Sequence, residues 1–313
     1  VKGNMIDQIA TISTNNDKEL GKIGNDAKRE ELKSLVQEIV ALANTYLQNN
    51  QAFDRTFVFG YHAISFDIIN DGFSLIIGKI QETRKKSYEN KDFIEYYIDE
   101  TQIGNSYAGF QANDHRGRES SFMLSSEVNK VLNGLWEDYQ NRNNDNYISP
   151  LIGGMYGNLG EITKEEFGDM IKKNIVEHEF QHSRQGSQNP VMNELSPQLA
   201  EVAFGPQKYG LLQNLLKVLR GYGDPNAGEK TRHRQSAAIM IQGFIDYMAE
   251  KGILNEDDAI VIKDSSQAEV EAFFYDQDIV KAFTSLNPEQ ITEIAQLIHV
   301  DQFGLDFTQV GVT

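Results

Sequence analysis

The stretch IVEHEFQHSRQG, residues 175–186, sets two histidines four positions apart with a glutamate directly after the first. On an α-helix such positions lie one turn apart on the same face, so His178 and His182 can direct imidazole nitrogens at one point. Two of the four tetrahedral positions around a zinc ion are filled in this way, leaving room for a third protein ligand and a water. Glu179 stands where it can take the proton of that water as it attacks a carbonyl. The pattern H-E-x-x-H is the short form of this chemistry.

Upstream, Thr163 precedes Glu166 by three residues, a capping-box spacing, and Phe167, Ile171 and Ile175 then recur at helical intervals up to the histidines. A helix over about 164–186 is expected. A solvated helix with a polar end is the plain alternative, but here the histidines continue an apolar stripe, and buried imidazoles need partners that a shared metal would supply. For the third ligand there are two candidates. Glu201 follows His182 by 18 residues (183–200), in a helix that Ser196 and Pro197 are expected to start as cap and first residue. Glu194, seven residues earlier, competes with it, and whichever is not a ligand is expected to orient a histidine or to lie on the surface.

H-E-x-x-H followed by 18 residues and a glutamate resembles the gluzincin zinc metallopeptidases, especially their aminopeptidase-type branch. The resemblance implies a zincin-like catalytic domain, zinc on His178, His182 and Glu201, and Glu179 as general base. Asn193-Glu194 is similar to the Asn-Glu pair that often carries the third ligand of that family. The branch also has a G-x-M-E-N stretch whose glutamate grips a free amino group. Here GGMYGN (153–158) lies 25 residues before His178 without that glutamate, and it reads as a glycine-rich loop or edge strand. Endopeptidase action on a protein or peptide is therefore the expectation. The resemblance covers residues 150–204. His233 and Tyr209 are candidates, by residue type alone, for a donor to an oxyanion.

Composition narrows the classes. With 29 basic against 46 acidic residues and a net charge of −17, the chain is poorly suited to displace counterions from a phosphate backbone, so no nucleic-acid partner is expected. No run approaches the roughly 20 apolar residues of a membrane span, and a soluble protein is expected. There is no cysteine, which removes disulfides and thiolate sites and leaves the compartment open. The opening VKGNMIDQIA reads as a processed start with no signal pattern.

Along the chain, residues 25–49 show an amphipathic helical pattern. Residues 55–80 are dense in Phe and Ile, with Asp71-Gly72 as a hairpin signal, and 93–113 contain further candidate strands. A helix from Ser126 carries Trp136, the Asn-rich 141–150 is a connector, and later segments read as helices. The fold expected is α+β: an N-terminal helical segment over 1–50, then a zincin-like domain over 51–313. Its β-containing part would run from 51 to 160, its active-site helix over about 164–186 and its helical part from 187 to 313. The functional expectation is a zinc metallopeptidase. The rival is a non-catalytic zincin-fold protein used for binding or assembly, in a virion, a secretion system or at a surface.

Overall fold

The computed structural model describes residues 53–59, 62–69, 72–88, 91–104, 109–113, 119–144, 148–185, 189–219 and 229–307, with Ala41, and it describes side chains chiefly from Val128 onward. The helix expected over 25–49 lies outside the described residues. The chain divides into two compact units, 1–127 and 128–313. In the first, strands β1 (Phe53–Phe59), β2 (His62–Ile69), β3 (Gly72–Tyr88), β4 (Lys91–Gly104), β5 (Gly109–Asn113) and β6 (Glu119–Leu124) form one sheet in the order β1-β2-β3-β4-β6-β5. Its pairs are antiparallel apart from β4 with β6.

The α+β, zincin-like expectation is corrected by the second unit, which carries the histidine motif. Every regular element described there is helical, and among residues whose side chains are described, strand is nearly absent. Among the described residues the protein is mostly helical, and none of those in the second unit forms a sheet with the motif helix. The helices are α1 (Ser125–Gln140), α2 (Pro150–Gly157), α3 (Lys164–Arg184), α4 (Pro190–Phe204), α5 (Gln207–Leu219), α6 (Glu229–Glu250), α7 (Gln267–Tyr275), α8 (Gln277–Ser285) and α9 (Pro288–Phe303). GGMYGN falls in α2 instead of a loop or edge strand, because Leu151, Ile152, Met155 and Tyr156 are all buried and carry the backbone inward with them. A Cβ on Gly153 would run into the Arg142 carbonyl oxygen, so only glycine permits this approach.

The motif helix α3 begins where the capping box puts it. The Thr163 side chain accepts from the Glu166 N–H, and the Glu166 carboxylate accepts from the Thr163 N–H at 2.8 Å. Just before that cap, the Tyr139 hydroxyl donates to the Gly160 carbonyl (2.8 Å) and accepts from the Ile162 N–H (3.2 Å). Phe167 then packs edge-on against Tyr209, with ring centroids 5.6 Å apart. These contacts fix the start and rotation of α3.

Helix α4 does not start at Ser196-Pro197. Asn189 caps it, accepting from the Val191 and Met192 N–H groups, and Pro190 takes the first turn. Pro197 sits in its interior, where a proline costs about 3 kcal/mol or more. Residues 195–203 are all buried, since α4 touches α3, α5, α6 and α9. A helix covered on all sides has no polar face to reveal its length in the sequence.

Between α3 and α4 runs an antiparallel polar seam, in which Asn174 meets Glu201, Gln181 meets Ser196 and Gln185 meets Asn193. At its centre, Gln181 Nε2 donates to Ser196 Oγ (2.8 Å), Ser196 Oγ lies 3.0 Å from His299 Nε2, and His299 Nδ1 lies 2.8 Å from the Leu305 carbonyl oxygen. The carbonyl only accepts, so His299 carries its proton on Nδ1 and Ser196 donates to Nε2. All three side chains are buried.

Ser196→Ala removes the partner of Gln181 Nε2 and of His299 Nε2 and is expected to cost about 1–3 kcal/mol, read by denaturant unfolding. Burial also lowers the His299 pKa below 6.5. The unfolded chain then binds that proton more readily, so stability falls as pH drops below about 6.5. In His299→Gln this part of the acid slope is expected to vanish when unfolding is followed from pH 8 to pH 5.

Candidate metal centre

His178 and His182 stand one turn apart on α3 with their Nε2 atoms 3.0 Å from each other. Glu194 Oε2, from α4, lies 3.5 Å from His178 Nε2 and 3.6 Å from His182 Nε2. Four ligands at zinc distances of about 2.0–2.1 Å in a tetrahedron are separated by about 3.3 Å, and the three observed spacings bracket that value. Glu194 Oε2 is buried and makes no hydrogen bond of good geometry. A buried carboxylate oxygen aimed at two imidazole nitrogens, themselves in contact, is the donor set a divalent cation requires.

Glu201 takes a different place from the one the 18-residue spacing implies. Its Oε1 lies 2.5 Å from His178 Nδ1, the far side of the ring from Glu194, and its Oε2 accepts from Asn174 Nδ2 at 2.8 Å. Glu194 and Glu201 are seven residues apart on α4, two turns along one face, so they flank the same imidazole from its two nitrogens. Glu201 holds a His178 proton on Nδ1, and Nε2 is the nitrogen that faces Glu194 and His182. Of the two acids, Glu194 is the one whose oxygen groups with both imidazole nitrogens as a possible cation site, and only residues 183–193 separate it from His182. Glu201 and Asn174 support the site from behind.

The electrostatics follow from this sandwich. Burial opposes charge on His178, but Glu201, Glu194 and Glu179 outweigh it and raise its pKa. Burial likewise opposes the Glu194 and Glu201 carboxylates. The nearby imidazoles of His178, His182 and His233 nevertheless hold Glu194 low, and Lys217, His178 and Asn174 hold Glu201 low. His233, near the start of α6, has its Nδ1 3.1 Å from Glu194 Oε2. Its backbone carbonyl accepts from Gln198 Nε2 at 3.0 Å, which ties it to α4. Burial pushes its pKa down to about 4, so it is neutral at pH 7. Tyr209 is in the aromatic core against Phe167, with its hydroxyl pKa pushed up by burial and by Tyr156 and Glu201.

The structure therefore brings together His178, His182, Glu194 and His233, with Glu179 the next residue along α3 and partly exposed. Asn174 and Gln185 were not singled out by the sequence. The signal for Asn174 was its spacing: with His178 and His182 it makes a polar row at i, i+4 and i+8 on a buried face. No protein-family model, no curated protein and no solved structure matches this chain. No helix among the described residues is long and apolar enough to cross a membrane.

Glu194→Ala is expected to abolish stoichiometric binding of a divalent cation. Glu201→Gln, which leaves the three ligand atoms in place, is expected to weaken it by about 10–100-fold. Isothermal titration of both variants separates the two roles.

Proposed function

We propose that the helical unit holds zinc on His178, His182 and Glu194 and uses it to hydrolyse peptide bonds in a protein or peptide substrate. The observation that carries this reading is the buried Glu194 Oε2 atom, set within 3.6 Å of the Nε2 atoms of two histidines, the first of which Glu179 follows directly in sequence. Two imidazoles and one carboxylate are a donor set suited to zinc, and three protein ligands leave a position for substrate or water. Bound zinc would act as a Lewis acid, polarising a carbonyl and acidifying a water.

Within the chain, Glu179 is the group to accept the proton of the attacking water and return it to the departing amine. Its charge already acts on His178. His233, neutral at pH 7 and beside Glu194, suits donation of a hydrogen bond to an oxyanion better than the core residue Tyr209. GGMYGN is a buried helix without the amine-gripping glutamate, which favours cleavage within chains over removal of N-terminal residues.

A second reading rests on His233. With Nδ1 3.1 Å from Glu194 Oε2, it offers a fourth protein donor beside the site, and a cation with four protein ligands ties helices together without reacting. Purified wild-type protein and Glu179→Gln, assayed for zinc content and for cleavage of a denatured protein substrate, distinguish the two. The expected result is equal zinc, about one ion per chain, with turnover lowered about 100-fold or more in the variant. Zinc without turnover in the wild type, with a lowered Tm on chelation, would establish the tie instead.

A further inference from the structure

The seam between α3 and α4 ends on a contact that cation binding does not need. Pro197, inside α4, has no N–H to give to the Asn193 carbonyl four residues back. Gln185, the C-cap residue of α3, donates its Nε2 amide to that oxygen at 2.6 Å. The same nitrogen lies 2.9 Å from His182 Nδ1. A backbone carbonyl only accepts, so it dictates which end of the amide faces it; turning the amide would set two carbonyl oxygens against each other. Gln185 Oε1 is buried without a hydrogen-bond partner, so Nε2 alone holds this amide. The second Nε2 proton therefore meets His182 Nδ1, which has to accept it and carry no proton of its own.

A bound cation needs the opposite arrangement. A neutral His182 that ligates through Nε2 carries its proton on Nδ1. That N–H would face the Gln185 N–H, donor against donor. Histidine ligands ordinarily donate this N–H to an oxygen, as His178 does to Glu201, and at His182 the supporting contact is reversed.

We infer that Gln185 is a positioning residue that restrains cation binding at His178, His182 and Glu194 by holding His182 in the tautomer that cannot ligate through Nε2. Pro197 sets this restraint, because it leaves the Asn193 carbonyl to the Gln185 amide. In the cation-free protein the His182 proton rests on Nε2, on the side of the ring where Glu194 Oε2 lies 3.6 Å away. Cation binding has to turn or release the amide. The inference rests on the cation reading above, and the experiment tests the two separately.

Long-range proton–nitrogen spectra of the metal-free full chain report the tautomer directly. His182 Nδ1 is expected to be unprotonated in the wild type and protonated in Pro197→Ala, whose new N–H takes the Asn193 carbonyl and lets Gln185 present Oε1 instead. In chelator competition with Zn2+, Gln185→Ala and Pro197→Ala are each expected to bind about tenfold tighter than wild type. The double variant should bind no tighter than either single one, since both act through one contact. Circular dichroism confirms that the variants fold. A protonated His182 Nδ1 in the wild type, or single variants with wild-type zinc affinity, would overturn the inference. A wild type that takes up no zinc would overturn the cation reading, and the spectra would still decide the part played by Gln185.

Discussion

The arrangement of the helical unit depends on one imidazole held between two carboxylates. His178 has Glu201 on Nδ1 and Glu194 on the Nε2 side, and both acids come from the same face of α4, two turns apart. Three ionisable groups in a largely buried place would be costly if any one lacked a counterpart. The seven-residue spacing supplies counterparts on both sides of the ring. It thereby fixes the depth and rotation of α4 against α3, and with them the position of every other group at the site.

Around that sandwich the interior is polar along a line and apolar elsewhere. Asn174, His178, Gln181 and Gln185 follow one another on α3 at intervals of four, three and four residues, the repeat by which a helix keeps one seam facing a neighbour. Each has a partner on α4, and the central pair is extended by Ser196 to His299 on α9. A polar seam of this kind specifies register more sharply than apolar packing, because a slip by one turn leaves several groups unpaired at once. The aromatic cluster of Tyr139, Tyr156, Phe167 and Tyr209 supplies apolar burial at the capped end of the same helix.

Pro197 shows how a locally unfavourable residue becomes part of a site. Inside a helix it withholds a hydrogen bond from the carbonyl one turn earlier, and that carbonyl needs another donor. A side chain from α3 does so, and the same side chain touches a candidate ligand. The backbone defect of one helix and the tautomer of a histidine on another are joined through a single amide nitrogen.

Much of the motif helix was legible from residues alone. Thr163 and Glu166 mark its start, the apolar spacing gives its inward face, and the four-residue interval puts His178 and His182 together, since all of these are properties of one helix. What the sequence could not decide was which acid is the ligand. Glu194 and Glu201 share a face of α4 and differ only in the ring nitrogen they meet, which depends on how α4 lies across α3. Ser196-Pro197 resembled a helix start because a cap-like residue before proline reads the same at a first turn as in a buried interior. Asn174, Gln185 and His233 acquire their roles only from neighbours distant in sequence. That the described elements of the motif's own unit are all helical was likewise a tertiary fact, because H-E-x-x-H needs a helix and says nothing of what packs against it.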